Sequence, residues 1–414
     1  MEHINRHIRK KLLQVLGVSP VVFLNGPRQS GKSTLVQAMA KKEYPAEYVS
    51  FDNPMQMAAA VNTPESFLKE PKGPLIIDEI QLVPEIFRPL KIVVDQLRQE
   101  YGSKTNGRFL ITGSANILAL PKLSDPLVGR MNVLTLYPLS SAEALGGSGD
   151  FIGRLFNKEF KANSGELKLS DVISMSTFPE NFSAEVHEHT SWFDGYLTTI
   201  LQRDVRTLAE ISKISTLPNL LRIIANRVGG LVNEADIARD AGLNHVTSRN
   251  YKTLFKMLFI TFELTPWYRN IGKRLVKAPK GYLIDTLLLC YLLGYELDDL
   301  AKNRPELFGH VFENFVATEL LKLMSFQDKR MDLFHFRTND NKEVDFVIEK
   351  TNGQLAAIEV KHRDYLSNSD FKGLRELQQL TGDDFICGIV LYCGRDVVPF
   401  GQNLWAVPIN NLWG

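Results

Sequence analysis

The sequence predicts an α/β protein in three parts: a parallel sheet at the N-terminal end, a helical middle, and a second α/β unit at the C-terminal end. Three observations carry that expectation. Between residues 20 and 137, short apolar runs alternate with stretches of helical periodicity, the pattern of a parallel sheet with crossover helices. From Thr190 to about Leu300 the periodicity is mostly helical. From Arg330 onward, short strand-like segments return.

In the first part, Val21-Val22-Phe23-Leu24 reads as a buried strand and Lys32–Lys42 as a helix. Glu47–Phe51, Leu75-Ile76-Ile77, Phe109–Thr112 and Val133–Leu136 read as four further strands, and Glu85–Glu100 as a second long helix. Residues 140–170 are polar and contain Gly and Ser, as in a linker with short helices. In the last part, Leu333–Phe336, Glu343–Ile348, Leu355–Val360 and Phe385–Tyr392 read as strands, with an amphipathic helix near Leu374–Leu380. The expected division is 1–140, 141–210, 211–300 and 301–414.

A chain of 414 residues can bury two or three cores. With 44% hydrophobic and 23% charged residues it has the make-up of a soluble globular protein. A net charge of +1 supplies no global field toward nucleic acid or membrane, so any such binding needs a local patch. Cys290, Cys387 and Cys393 form no CxxC pair and read as small core residues rather than a disulfide framework or a zinc site. Met1–Lys11 lacks the apolar run of a signal peptide. The longest apolar stretch, Tyr282–Tyr295, contains Asp285 and falls short of the roughly 20 residues a membrane span needs. The expectation is a cytoplasmic protein without a membrane partner.

Residues Gly26-Pro27-Arg28-Gln29-Ser30-Gly31-Lys32-Ser33-Thr34 fit the phosphate-binding pattern G-x-x-x-x-G-K-[ST], between a strand and a helix. The glycines let backbone N–H groups curl around phosphate oxygens, Lys32 reaches the β- and γ-phosphates, and the Ser33 hydroxyl ligates Mg²⁺. The helix that follows adds its positive end. Leu75–Ile77 runs into Asp78 and Glu79 at the edge where α/β sheets bind ligands. Asp78 is the expected Mg²⁺ partner with Ser33, and Glu79 the group that orients or deprotonates the attacking water. The fourth strand ends Thr112-Gly113-Ser114-Ala115-Asn116. Thr112, Ser114 or Asn116 is placed to sense the γ-phosphate, and a plain Gly/Ser/Asn turn is the alternative. Arg130 is a candidate for charge stabilisation in the transition state, against the alternative of a surface arginine. ATP and Mg²⁺ are therefore the expected cofactors.

In the middle, Glu234–Leu243 followed by Asn244–Lys256 reads as a helix-turn-helix with Gly242 in the turn. His245, Arg249, Lys252 and Lys256 recur at helical spacing as one basic face, opposite Val246, Leu254 and Leu258. That face is a candidate DNA contact, and Thr265–Leu275 a basic wing beside it. The alternative is a solvated face on a module that contacts protein.

In the last part a second acidic constellation appears. Glu313 lies on a helix, Glu343 and Asp345 share one face of a strand, and Glu359 and Lys361 share one face of the next. A PD-(D/E)XK nuclease site needs this order: Asp345 and Glu359 to hold Mg²⁺, Lys361 to steady the water or phosphate, and Glu313 to complete the shell. The fold does not establish cleavage.

Taken together, Asn25-Gly-Pro-Arg-Gln-Ser-Gly-Lys-Ser-Thr34, Ile76-Ile-Asp-Glu-Ile-Gln81, Leu110-Ile-Thr-Gly-Ser-Ala-Asn116, Val128-Gly-Arg130 with Tyr137-Pro-Leu-Ser140, Phe312-Glu-Asn-Phe-Val316, Glu343-Val-Asp-Phe-Val347 and Ile358-Glu-Val-Lys361 resemble the prokaryotic AAA-type P-loop ATPases with a C-terminal domain of unknown function. The resemblance spans about residues 18 to 375. It implies an ATPase of the additional-strand, catalytic-glutamate class, a winged helix and a nuclease-like tail. One departure is Leu287, where such chains usually carry Gly. The expected function is Mg²⁺-dependent ATP hydrolysis coupled to a DNA-directed C-terminal domain. The alternatives are an ATPase switch whose nuclease-like fold binds without cutting, and a protein-interaction switch with no nucleic acid. Oligomeric assembly is compatible with each.

Overall fold

The computed structural model describes residues 4–115, 127, 129–163, 165, 167–182, 184, 186–205, 214–270, 272, 274, 277–338, 340 and 342–414. The chain divides into two units, one of Arg6–Pro138 with Met257–Phe259, the other mainly of Leu139–Lys256 and Ile260–Gly414. Among the described residues no helix is long and apolar enough to cross a membrane.

In the first unit five strands form one parallel sheet: β1 (Val21–Asn25), β2 (Glu47–Ser50), β3 (Leu75–Asp78), β4 (Phe109–Gly113) and β5 (Met131–Thr135), in the order β2-β3-β4-β1-β5. Every residue of β1, β3 and β4 is buried, which is why these segments read as unbroken apolar runs rather than alternating ones. β4 lies between β1 and β3, the inserted strand that the resemblance implies. Helices α1 (Ile8–Leu16), α2 (Lys32–Ala40), α3 (Pro54–Asn62), α4 (Pro64–Lys69) and α5 (Phe87–Tyr101) accompany the sheet. α1 buries Ile8, Leu12 and Leu16, one residue per turn. α3 and α4 fall where the sequence pattern names no element. Asn53 starts α3 by accepting from the backbone of Met55 and Gln56, with Pro54 at the first helical position. α5 begins later than its periodicity suggests because Pro84–Ile86 closes a separate 3₁₀ turn.

The second unit opens with short helices, as expected of the linker: α6 (Ser141–Leu145), α7 (Phe151–Asn157) and α8 (Leu169–Met175). There follow α9 (Val186–Thr199), α10 (Leu217–Ala225), α11 (Glu234–Asp240) and α12 (His245–Met257), then the antiparallel pair β6 (Thr261–Leu264) and β7 (Lys280–Leu283). α13 (Thr286–Leu293), α14 (Leu297–Asn303) and the long α15 (Pro305–Ser325) lead into a six-stranded sheet. Its strands are β8 (Met331–Arg337), β9 (Glu343–Lys350), β10 (Leu355–Lys361), β11 (Phe385–Tyr392), β12 (Val398–Gly401) and β13 (Leu404–Pro408), in the order β12-β13-β11-β10-β9-β8. β8, β9 and β10 are antiparallel neighbours, whereas β10 and β11 run parallel. The parallel crossover carries α16 (Lys372–Thr381), whose Leu374 and Leu377 share a core with Val344, Val347 and Leu355.

The apolar stretch around Asp285 is half strand and half helix. β7 ends at Leu283, and Asp285 caps α13 by accepting from the Leu288 backbone at 2.8 Å. Its other oxygen accepts from the Thr177 hydroxyl at 2.8 Å, so a fully buried carboxylate is satisfied on both sides. Leu287 sits in the first turn of this helix, buried.

α15 carries a second buried polar cluster. Glu319 accepts from the Ser141 backbone at 2.8 Å and from the hydroxyls of Ser141 and Ser176, both at 2.5 Å. Lys322 donates to Glu319 at 3.0 Å and to the Leu139 carbonyl at 2.9 Å. Side-chain exposure is 0% for Glu319 and 2% for Lys322. Losing one partner strands a buried charge, which costs about 3–5 kcal/mol. Lys322→Ala is therefore expected to lower unfolding stability in urea by about that amount; a loss below about 1 kcal/mol would show that the pair is a passive contact.

Candidate functional site

In the first unit the site is built where β1 passes into α2. Asn25 ends the strand, and Gly26 follows at φ +147, where an added Cβ would lie 2.1 Å from the Leu136 carbonyl. Only glycine fits there. Gln29 and Gly31 also take positive φ, 62° and 89°, so the segment curls tightly before the helix begins at Lys32. Pro27 and Ser30 are buried in the curl, Arg28 and Ser33 are half-buried, and Gln29 and Thr34 are exposed. The Lys32 ammonium donates to the carbonyls of Gly26 at 3.0 Å and Pro27 at 2.8 Å, folded over its own loop. The Ser30 hydroxyl is buried with no partner. Arg6, which the sequence reading does not single out, donates to the carbonyls of Ser30 at 2.7 Å and Tyr137 at 2.6 Å and pins the loop from behind.

Register brings the remaining groups to this edge. Leu24 pairs with Thr112 and Asn25 with Gly113, while Ile77 pairs with Ile111, so the C-terminal ends of β1, β4 and β3 finish together. Asp78 is 3% exposed, and both of its oxygens are engaged. One accepts from the Tyr48 hydroxyl at 2.6 Å and the other from the Thr112 hydroxyl. Burial, together with the Asp78 charge, pushes the Tyr48 phenol up to about 12, so it remains a donor at neutral pH. Glu79 occupies the left-handed region at φ 58, ψ 44. Such a conformation costs on the order of 1 kcal/mol and turns the side chain out of the strand direction. Gln81 holds it there, donating to the Glu79 carboxylate and to the Ser114 hydroxyl at 2.9 Å. Burial raises the Glu79 carboxyl; the Lys32 charge opposes that rise and the Asp78 charge adds to it.

The residues fit a nucleotide with its magnesium ion. The glycine-walled curl leaves backbone N–H groups toward the edge, the Ser30 hydroxyl is an orphan there, and Ser33 and Asp78 are the hard oxygen donors Mg²⁺ prefers. Of the fourth-strand candidates, Thr112 contacts Asp78 and Ser114 contacts Gln81. Asn116 lies outside the described residues.

Arg130 does not join them. It immediately precedes Met131, which pairs with Val21 at the start of β1, so it sits at the opposite edge of the sheet from the loop. Its guanidinium is held by Asp95 at 2.5 and 3.0 Å. A five-residue strand is about 16 Å long, which rules out a role at the loop of its own chain.

In the second unit α11 and α12 form the expected pair of helices around Gly242, but their surface differs from expectation. His245 and Arg249 are exposed. Lys252 is 5% exposed and paired with Glu234 at 2.6 Å and Glu263 at 3.3 Å. Lys256 pairs with Glu263 at 2.5 Å. Val246, expected on the apolar side, is 67% exposed. The single basic face is corrected to two exposed residues and two neutralised lysines, because Glu234 and Glu263 lie outside the helix that periodicity describes. The expected wing is also tied down: Trp267 and Thr265 exchange backbone hydrogen bonds with His335, and Arg274 pairs with Glu349 at 2.5 Å.

The four residues of the second acidic constellation do converge. Glu313 comes from α15, Asp345 from β9, and Glu359 and Lys361 from β10. Lys361 donates to Glu359 at 2.7 Å, and the Asp345 backbone donates to Glu359 at 3.4 Å. Asp345 accepts from the Val360 backbone at 3.0 Å, and Glu313 from the Tyr282 hydroxyl at 2.7 Å. Burial and the nearby Asp345 charge raise the carboxyls of both Glu313 and Glu359. One unforeseen residue sits among them. Lys280 lies 2.9 Å from Glu313, 3.2 Å from Asp345 and 2.5 Å from Glu343. Burial alone lowers its pKa, but the three carboxylates reverse this and leave it well above the ordinary lysine value. The only sequence signal was a lysine heading an otherwise apolar strand.

Comparison with known proteins agrees with this division of the chain. Residues 18–145 match the AAA domain, 166–299 a domain of unknown function (DUF8612), and 308–412 a domain of unknown function (DUF4143). Uncharacterized proteins of Mycobacterium bovis and Mycobacterium tuberculosis are each 30% identical over 411 residues, which covers 98% of this chain and 84% of theirs. An uncharacterized protein of Haemophilus influenzae is 25% identical over 368 residues, covering 82% of both chains. Among solved structures, the Walker-type ATPase of Pyrococcus abyssi aligns with TM-score 0.42 and 15% identity, covering 70% of this chain and 96% of that one. Domain III of the replication initiation protein DnaA of Thermotoga maritima aligns with TM-score 0.29 and 14% identity, covering 46% of this chain and 83% of that one. The AAA domain and the C-terminal domain of unknown function are thus both found where the sequence resemblance places them.

Each hydroxyl on Asp78 is a hydrogen bond to a charged group, worth about 1.5–3 kcal/mol. Tyr48→Phe and Thr112→Val are therefore each expected to weaken Mg²⁺-nucleotide affinity by roughly tenfold or more. Calorimetric titration with a non-hydrolysable ATP analogue reads this directly, and unchanged affinity in both variants would remove the pair from the site.

Proposed function

The chain belongs to the family of these mycobacterial proteins, and from that premise we propose that its AAA domain hydrolyses ATP with Mg²⁺ and couples this to a DNA-directed, nuclease-like C-terminal region. The observation that carries the reading is the meeting of Lys32, Asp78 and Glu79 at one sheet edge, with Asp78 fixed by two hydroxyls and Glu79 by Gln81. When ATP binds, the loop from Gly26 to Thr34 surrounds its phosphates and Lys32 exchanges its carbonyl partners for phosphate oxygens. Ser33 and Asp78 are the residues that would hold the metal, which supplies neutralisation of phosphate charge. Glu79, with its raised carboxyl, accepts a proton from the attacking water more readily than an ordinary glutamate. Thr112 acts through Asp78, and Gln81 through Glu79.

Loss of a general base costs about 10²–10⁴ in rate. Glu79→Gln should therefore bind ATP within a few-fold of the parent chain while losing at least about 100-fold in kcat. Lys32→Ala should lose both binding and turnover, and full hydrolysis by that variant would refute the assignment.

For the C-terminal region, a second reading has its own support. Lys280 already neutralises the carboxylates that a nuclease would use for metal, which favours a nuclease-like fold that binds without cutting. DNA contact, if it runs through α12, rests on His245 and Arg249. Nicking of supercoiled plasmid in Mg²⁺ that disappears in Asp345→Ala supports cleavage, and the absence of nicking in every nucleotide state supports the binding role.

A further inference from the structure

The cluster around Asp345 holds a cation of its own. Lys280 is 3% exposed at its side chain and touches Glu313, Glu343 and Asp345 within 3.2 Å. Buried carboxylates need a counter-charge, and the ammonium supplies it. Yet none of the inner carboxylates depends on Lys280 for its orientation. Glu313 keeps the Tyr282 hydroxyl, Asp345 keeps the Val360 backbone N–H, and Glu359 keeps Lys361.

Glu343 stands apart from these three. It is 30% exposed at the rim, already beside Arg337, and its contact with Lys280 is the shortest of the three at 2.5 Å. A flexible four-carbon stem lets the ammonium stay with Glu343 while leaving Glu313 and Asp345. One further group points to a ligand that is not protein. His335, on β8, is 1% exposed, and neither ring nitrogen has a hydrogen-bond partner. Burial and the Lys280 charge keep this imidazole neutral. An unpartnered buried imidazole beside Lys280 and Asp345 is costly unless something else occupies the site at another stage.

We propose that Lys280 is a built-in stand-in for a divalent cation: its ammonium closes the cage of Glu313, Asp345 and Glu359, and a metal ion enters only when Lys280 retreats to Glu343. This rests on the reading of the cluster as a metal site and adds its regulation. Lys280 begins β7, and its backbone bridges Leu231, so any movement of that hairpin carries the plug with it. The C-terminal site is then closed in the conformation described and opens by displacement of one side chain.

The test uses the full chain and Mn²⁺ as probe, in an Asp78→Asn background that silences the nucleotide-site metal. Lys280→Met is expected to bind one Mn²⁺ at least tenfold more tightly than the Lys280 chain, Lys280→Arg to behave like the Lys280 chain, and Lys280→Met with Asp345→Asn to lose the gain. Melting curves with and without Mn²⁺ accompany the titration. A Lys280→Met chain that folds poorly but is restored by Mn²⁺ supports the proposal, and one that stays unfolded with Mn²⁺ overturns it. If the Lys280 chain already binds Mn²⁺ through Asp345 as tightly as Lys280→Met, the metal site stands and the plug is wrong. If no variant binds Mn²⁺, the metal reading itself falls.

Discussion

The in-step parallel ladder of β1, β4 and β3 is the constraint on which the nucleotide site depends. Backbone hydrogen bonds fix Leu24 opposite Thr112 and Ile77 opposite Ile111, and each chain then leaves the sheet at the same edge. A one-residue slip would turn Thr112 to the other face of the sheet and remove it from Asp78. With that register set, Tyr48 and Thr112 grip the two oxygens of Asp78 from the strands on either side of β3. Glu79, one residue beyond, leaves the strand through a left-handed turn and is caught by Gln81. Orientation before the substrate arrives is what makes such groups effective, because no reorganisation is needed during the reaction.

The second unit solves a different electrostatic problem. It buries two lysines, and each is answered by carboxylates on α15. Around Lys322 and Glu319 every contact is internal and complete, as expected of a cluster that joins the short N-terminal helices of the unit to α15. Around Lys280 the carboxylates outnumber the ammonium, and a neutral histidine stands beside them without a partner. The first arrangement stabilises a fold, whereas the second has room for a change of occupant.

Much of this was legible in the residues. Fully buried strands read as apolar runs, the glycine spacing of residues 26–31 signals a phosphate loop, and alternation along β9 and β10 places Asp345, Glu359 and Lys361 on their faces. What stayed hidden shares one cause: the partner lies far away in sequence. Periodicity along α12 exposes a basic stripe but says nothing of Glu234 and Glu263, which neutralise half of it. Arg130 follows a motif suited to a catalytic arginine, yet strand direction carries it to the wrong edge. Tyr48, Gln81, Arg6 and Lys280 belong to no motif, and only the fold brings them to their carboxylates and carbonyls. β12 and β13 are short and carry Pro and Gly, so their pairing is decided by the exposed edge of β11 rather than by their own pattern.

The central claim is that the edge formed by Lys32, Asp78 and Glu79 turns over ATP with the help of a divalent metal. The most direct measurement is phosphate release by the purified full-length chain, with ATP supplied first in Mg²⁺ and then in excess EDTA. The account predicts steady turnover in Mg²⁺ that collapses to background in EDTA. Equal release in both conditions, or none in Mg²⁺, would contradict it.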